Sequence, residues 1–192
     1  MSDERRASRA RLSLLLIAAV AAAPLVAAYA LFHFWRPSAF TNYGQLLPPD
    51  RIADVSIRQA DGSDFTLATL KGKWVLMMVD SGMCDGFCRR KLYSMRQVRL
   101  TQGKDMERIE RAWLVDDEAR PASELISEYR GTRVVSARGS PLLSRLPADV
   151  SVRDHIYIVD PLGNLMMRYP RDADPSRIKK DMTRLLKVSG IG

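Results

Sequence analysis

Cysteine is scarce in this 192-residue chain, which holds only two. That excludes a disulfide-dense scaffold and a four-cysteine zinc site. No internal repeat appears, and no low-complexity tract lies outside one apolar run. Nowhere do aromatics interleave with a basic stripe. A nucleic-acid partner therefore has only the net charge of +8 in its favour and no motif, and none is expected. Hydrophobic residues at 46% and charged residues at 27% give a globular balance. Wholesale disorder, collagen-like and coiled-coil architectures are excluded with it.

The absence with most consequence is charge between Leu12 and Trp35. As a helix this run would extend about 36 Å, enough to cross a hydrocarbon core of ~30 Å. Pro24 falls in mid-span, where a membrane helix tolerates it. Tyr29, Phe32, Phe34 and Trp35 form an aromatic belt at the far end, and Arg5, Arg6, Arg9 and Arg11 precede the run. The positive-inside rule keeps those arginines in the cytoplasm and exports the remainder. Ala28-Tyr29-Ala30 offers the alternative of a cleaved signal peptide, but the apolar run continues past it. The expected organisation is a basic tail (1–11), a transmembrane helix (12–35), a Pro-rich tether (36–50) and one domain (51–192).

In the domain, Ile52, Val55 and Ile57 predict a strand, Asp61-Gly62 a hairpin turn, and Phe65 to Leu70 its return. Trp74 to Val79 is a continuous apolar run, the mark of a strand buried on both faces. A helix follows to about Gln102, with Leu92, Met95 and Val98 facing inward. Then come a strand at Ala112–Val115, a helix from Pro121 to Tyr129, and a short helix from Pro141 to Leu146. A strand from His155 to Asp160, a turn at Pro161–Asn164, and a strand to Tyr169 follow. A last helix starts near Asp174-Pro175 and carries Ile178, Met182, Leu185 and Leu186 on one face. This order predicts an α/β fold: a thioredoxin-like mixed sheet flanked by helices, with one N-terminal transmembrane helix.

Both cysteines, Cys84 and Cys88, fall where the central strand meets the following helix. On one helix face, sulfurs four residues apart can converge on each other or on one small ion. A helix N-terminus favours thiolate over thiol, Arg89, Arg90 and Lys91 add positive charge, and Asp85 opposes it. An accessible, partly ionised dithiol is a redox centre and a soft ligand pair suited to copper. The alternative is a purely structural bridge, which over so short a loop contributes roughly 2 kcal/mol or less.

Over residues 50–187 the chain resembles the Sco/SenC family of membrane-anchored, thioredoxin-like proteins. The likeness rests on Gly72-Lys73-Trp74-Val75-Leu76, on the spacing Cys84-Asp85-Gly86-Phe87-Cys88, on Asp116-Asp117-Glu118-Ala119-Arg120-Pro121 with Leu125 and Tyr129, and on Tyr157-Ile158-Val159-Asp160-Pro161-Leu162-Gly163. The resemblance implies a role in cytochrome c oxidase assembly, with copper held by the two cysteines and a histidine, or with the thiols reducing the oxidase's own cysteines. It implies a bacterial inner-membrane protein with a cytoplasmic N-terminus and a periplasmic domain. Its partner would be an oxidase subunit or another copper or thiol assembly factor.

Three departures stand out. Asp85 and Arg89 replace the prolines that usually follow each cysteine. The usual histidine position is Val152, leaving His155 as the candidate metal ligand. No proline stands near Asp154, where thioredoxins place a cis-proline opposite the dithiol. Met83 is a candidate thioether donor, while His33 belongs to the anchor. A general thiol–disulfide oxidoreductase and a non-catalytic assembly scaffold are the competing expectations.

If the apolar run spans the bilayer uncleaved, detergent releases the intact chain from membranes and high salt does not. Salt extraction, or loss of the first 30 or so residues on export, would remove the anchor.

Overall fold

The computed structural model describes residues 2–34, 42–58 and 63–191. They fall into two units, Met1–Thr41 and Asn42–Gly192. In the first, helix α1 covers Ser2–Phe34 and continues through Pro24. Its Leu14–His33 stretch is long and apolar enough to cross a membrane. Tyr29 and His33, one turn apart, stack with ring centroids 5.9 Å apart. Trp35, the tether up to Thr41 and the Asp61-Gly62 turn lie outside the described residues.

The second unit holds β1 (Gln45–Arg51), β2 (Ser56–Arg58), β3 (Asp64–Thr66), β4 (Trp74–Asp80), α2 (Gly86–Leu100) and β5 (Ile109–Val115). It continues with α3 (Ser123–Glu128), β6 (Thr132–Ser136), α4 (Pro141–Ser144), β7 (Ile156–Val159), β8 (Asn164–Arg168) and α5 (Pro175–Val188). Six strands form one sheet in the order β1-β8-β7-β4-β5-β6, and β2 pairs with β3 apart from it. Strands β4, β5 and β6 run parallel, while β7 is antiparallel to β4, β8 to β7 and β1 to β8. This is the thioredoxin-like mixed sheet with helices on both faces that the sequence predicts.

Strand β4 lies inside the sheet and all seven of its residues are buried. Its side chains alternate between two cores, as the pleat requires. Trp74, Leu76 and Met78 join Leu92, Met95 and Val98 of α2, Trp113 of β5, and Ile178, Met182 and Leu186 of α5. Val75, Met77 and Val79 join Ile57 of β2, Leu142 of α4 and Tyr157 of β7 on the opposite face. Each large side chain buried in this way contributes about 1.5–3 kcal/mol.

Local chemistry sets the ends. Asp174 caps α5 by accepting the Ser176 N–H at 2.8 Å, with Pro175 at the first helical position. At the β7–β8 turn, Gly163 takes φ +91°, and a Cβ there would stand 2.2 Å from that of Ala53. Only glycine allows its carbonyl to accept the Ile52 and Ala53 N–H groups, each at 3.1 Å.

Several elements depart from expectation. Of the expected first hairpin only Ser56–Arg58 and Asp64–Thr66 pair as strands; Ile52 and Val55 precede β2, and Leu67–Leu70 is a 3-10 helix. Gln45–Arg51, read as part of the tether, is edge strand β1, whose register shifts between Leu46 and Asp50 around Pro48 and Pro49. An edge strand tolerates prolines because its outer side needs no hydrogen-bond donors. Strand β6 is absent from the sequence reading altogether. It is a short, partly exposed edge with too little apolar alternation to register.

Buried polar groups fasten the ends of the sheet. The Asp181 carboxylate of α5 accepts the Tyr43 and Gly44 N–H groups, both at 2.9 Å, and the Tyr169 hydroxyl at 3.4 Å. Arg168 donates to Gln45 and to Asp149, each at 2.7 Å. Arg111 is less well served. It is 3% exposed, gives one bond of 2.7 Å to the Arg130 carbonyl, and finds no acceptor for Nε or Nη1. Burial, with repulsion from Arg99 and Arg96, pushes its pKa down to about 10.

An unpaired buried guanidinium costs stability, so Arg111→Met should stabilise the chain by about 1 kcal/mol or more at neutral pH. The folded pKa lies below that of the unfolded chain, so the wild-type penalty is relieved as pH rises above about 10. Urea unfolding in detergent should show the gap between the two chains narrowing over that window.

Candidate functional site

The central strand ends at Asp80, and five residues, Ser81–Asp85, carry the chain to the first turn of α2. The segment is tied at almost every step. The Asp80 carboxylate accepts the Ser81 N–H at 2.9 Å, and the Ser81 hydroxyl accepts the Met83 N–H at 3.1 Å. The Cys84 N–H donates to the Ser81 carbonyl at 3.1 Å. Asp85 is the N-cap of α2 and accepts the Cys88 N–H at 2.9 Å. That bond, ahead of nearby Lys91 and Arg90, holds the Asp85 carboxyl below its usual range.

Gly82 is required by close approach. A Cβ there would stand 1.9 Å from the Ala119 carbonyl oxygen, so no side chain fits. Cys84 takes φ 42°, a left-handed conformation that costs a non-glycine residue about 1 kcal/mol or more.

Cys84 and Cys88 are joined in a disulfide, with Cα atoms 5.1 Å apart. Cys84 is 3% exposed and Cys88 0%, and both belong to the core between the sheet and α2. The expected accessible dithiol is thus a closed, covered bridge. Nor do the cysteines share a helix face. Cys84 precedes the N-cap, and the turn rather than helical spacing brings it to Cys88. Beside them Met83 stands 81% exposed.

The basic run is not the free cationic patch that the sequence suggests. Lys91 is buried. Its ammonium pairs with Asp80 at 2.8 Å and donates to the Val79 carbonyl at 2.8 Å and to the Arg153 carbonyl. Burial pulls the Lys91 pKa down, and Asp80 opposes that pull. Arg89 pairs with Glu128 at 3.8 Å and Arg90 with Asp172 at 3.3 Å. The guanidinium groups of Arg90 and Arg171 lie 5.4 Å and 4.7 Å from the Phe87 ring centroid. An open cleft of about 330 Å³ adjoins this ring, lined also by Tyr93, Ile156, Pro170 and Pro175.

Asp116 and Asp117, which open the acidic segment that carries part of the family resemblance, are tied to the same loop. Asp117 accepts the Gly82 N–H at 3.0 Å and the Ala119 N–H at 3.1 Å. Burial raises its pKa, but these bonds, with Ser81 and Arg153, outweigh burial and leave the carboxyl below its usual range. Arg153 grips Asp116 with two bonds, of 2.8 Å and 2.7 Å, and reaches Asp117 at 3.5 Å. The bonds to Asp116 raise the guanidinium pKa.

His155 does not join the cysteines. It precedes Ile156, the partner of Met78, by one residue and so points to the face of Val79 and Tyr157. Its ring meets Tyr157 edge-on at 5.7 Å, and its Nδ1 lies 2.8 Å from the Tyr169 carbonyl oxygen. Nε2 has no partner, but it sits on the other side of the sheet from the core that holds the sulfurs. Among the described residues no group of three His, Cys, Asp or Glu side chains is placed to hold a metal. No cis peptide bond occurs among them either. The donor set therefore fits copper only as a pair of soft thiolates, available once the disulfide is reduced.

Residues 74–189 match a family model described as a transmembrane-like, thioredoxin-like, C-terminal domain. No curated protein matches the chain. Among solved structures, copper-bound yeast Sco1 is similar at 15% identity and a TM-score of 0.57, covering 79% of this chain and 96% of its own. Copper-bound ScoI of Bradyrhizobium japonicum is similar at 17% identity and a TM-score of 0.51, covering 73% and 99%. MTB dsbF, solved in mixed oxidised and reduced forms, is similar at 16% identity and a TM-score of 0.50, covering 73% and 98%. At these identities the likeness establishes a shared thioredoxin-like fold.

Asp85→Ala should cost about 1 kcal/mol at neutral pH through loss of the cap, while Asp85→Asn should cost little. The folded pKa of Asp85 is depressed, so its charge-dependent contribution is full above the unfolded value of 3.8 and is lost as pH falls through the folded one. Thermal unfolding from pH 7 to 2 should show the Ala penalty shrinking at the acid end.

Proposed function

Because the chain belongs to the transmembrane-like, thioredoxin-like C-terminal domain family, we propose that it is a Sco-like protein that handles partner thiols through Cys84 and Cys88. The observation that carries this reading is the bridge between them, at the end of the central strand and the start of α2. The fold is shared both with Sco proteins and with a protein solved in two redox forms. In this reading the anchor sits in a bacterial inner membrane, with a cytoplasmic N-terminus and the second unit in the periplasm. The partner is a cytochrome c oxidase subunit, or another assembly factor, whose copper-binding cysteines must be reduced before they accept metal.

The chemistry is thiol–disulfide exchange. In the reduced protein the Cys84 thiolate attacks one sulfur of the partner disulfide. A mixed disulfide forms, and the partner's other sulfur leaves as a thiolate and takes up a proton. The Cys88 thiol gives up its proton, and the thiolate attacks Cys84. The mixed disulfide breaks, the partner leaves as a dithiol, and Cys84–Cys88 is left closed. An external dithiol reductant resets it. Cys84 is assigned the attack because it lies outside the helix in the less buried position, while Cys88 is held within the first turn.

A second reading is copper carriage by the two thiolates. It is favoured by the soft donor pair and by the copper-bound Sco neighbours. In it the third donor comes from outside the pair. His155 can serve only if the segment before β7 turns over, because its ring now lies on the opposite face of the sheet.

The full chain in detergent, reduced and freed of reductant, should reduce a disulfide formed between the cysteines of a soluble oxidase copper domain. Cys84→Ser and Cys88→Ser should each abolish turnover. Full activity in either variant would overturn the exchange reading. One equivalent of Cu(I), bound by the wild type and by His155→Ala but not by Cys84→Ser, would support copper carriage by the pair alone. No Cu(I) uptake would remove that reading.

A further inference from the structure

Three segments are tied together around the cysteine loop: the β4–α2 loop, the loop after β5, and the segment before β7. Arg153 is bonded to residues on two of these ties, Asp117 and Lys91. The Arg153 side chain holds Asp116 with two charge-assisted bonds and extends to Asp117. Asp117 in turn grips the Gly82 N–H, two residues before Cys84. The Arg153 carbonyl accepts the Lys91 ammonium, and Lys91 is paired with Asp80 at the end of the central strand. The Asp80 carboxylate accepts the Ser81 N–H, closing the circuit from the other end of the same loop. Gly82 packs against the Ala119 carbonyl with no room for a side chain, so a shift of the Asp117 loop is transmitted directly to the residues before Cys84.

The network also balances charge near the loop that carries Cys84. Asp117 is bonded to Gly82, two residues before that cysteine, Asp116 adjoins Asp117 in the chain, and Arg153 is the cation paired with both. Lys91 is committed to Asp80, Arg89 to Glu128 and Arg90 to Asp172. Without Arg153 neither carboxylate has another ion-pair partner among the described residues, and uncompensated negative charge close to the cysteine loop disfavours the thiolate.

We propose that Arg153 is a positioning residue for the cysteine pair: it holds the Asp117 clamp on the β4–α2 loop, and by offsetting the two carboxylates it favours the reduced, ionised form. This assignment rests on the reading of Cys84–Cys88 as redox-active.

The test is the equilibrium of the full chain in detergent with glutathione, in which two glutathione thiols are oxidised as the bridge is reduced to the dithiol. Arg153→Gln should shift the equilibrium constant about fivefold towards the disulfide, and Arg153→Lys should recover part of the shift. Asp117→Asn keeps an acceptor for Gly82 and removes a negative charge, so it should shift the balance the opposite way. Arg168→Gln removes a buried arginine that holds Asp149 and Gln45, and serves as a control that lowers stability without moving the equilibrium.

A wild-type pair that exchanges normally while Arg153→Gln leaves the constant unchanged overturns the proposal and spares the redox reading. Shifts of the same sign in Arg153→Gln and Asp117→Asn also overturn it, because loosening of the fold alone would account for them. A wild-type pair inert at every glutathione ratio overturns the redox reading, and amide hydrogen exchange then decides the positioning role. Faster exchange at Gly82 and Ala119 in Arg153→Gln supports the clamp, and unchanged exchange overturns it.

Discussion

Strand β4 is sealed on both faces, and its last residue is a carboxylate. A buried Asp80 is sustainable only with a partner that offsets the loss of water, and Lys91 supplies it from inside α2. That single pair fixes the second turn of the helix against the end of the strand. The five residues between have little freedom left, and they carry Ser81, Gly82 and Cys84. The strand–helix junction is thus held by an ion pair as well as by packing, and the bridge inherits its position from both.

Much of the fold could be read from the chain. The unbroken apolar run of β4, the amphipathic α5 with its Asp174-Pro175 start, and the Asp160–Asn164 turn each obey strong local rules. Elements whose form depends on neighbours were harder to see. Strand β6 owes its existence to β5, and β1 is a proline-containing stretch that becomes a strand only because β8 offers it an edge.

The candidate site shows the same division. The spacing of Cys84 and Cys88 pointed to a pair, and they do meet. Nothing local revealed that Lys91, in a basic run, would be buried, or that Arg153 and Asp117 would close a circuit around the loop. Nor did it reveal that His155 would face away. A strand residue's side depends on the register with its partner, and the Met78↔Ile156 pairing settles that only in three dimensions. The chemistry we propose for this shielded bridge is two-electron exchange, with copper carriage by the opened pair as the second reading.

The Asp181 carboxylate ties Tyr43 and Gly44 to the final helix, and β1 pairs with β8. The first ordered stretch of the domain therefore waits for the last one. During synthesis both thiols emerge about a hundred residues before the pieces that complete their shelter. For that interval they are open to whatever oxidant or catalyst surrounds the nascent chain, so the state in which the bridge first forms is set by timing before it is set by equilibrium.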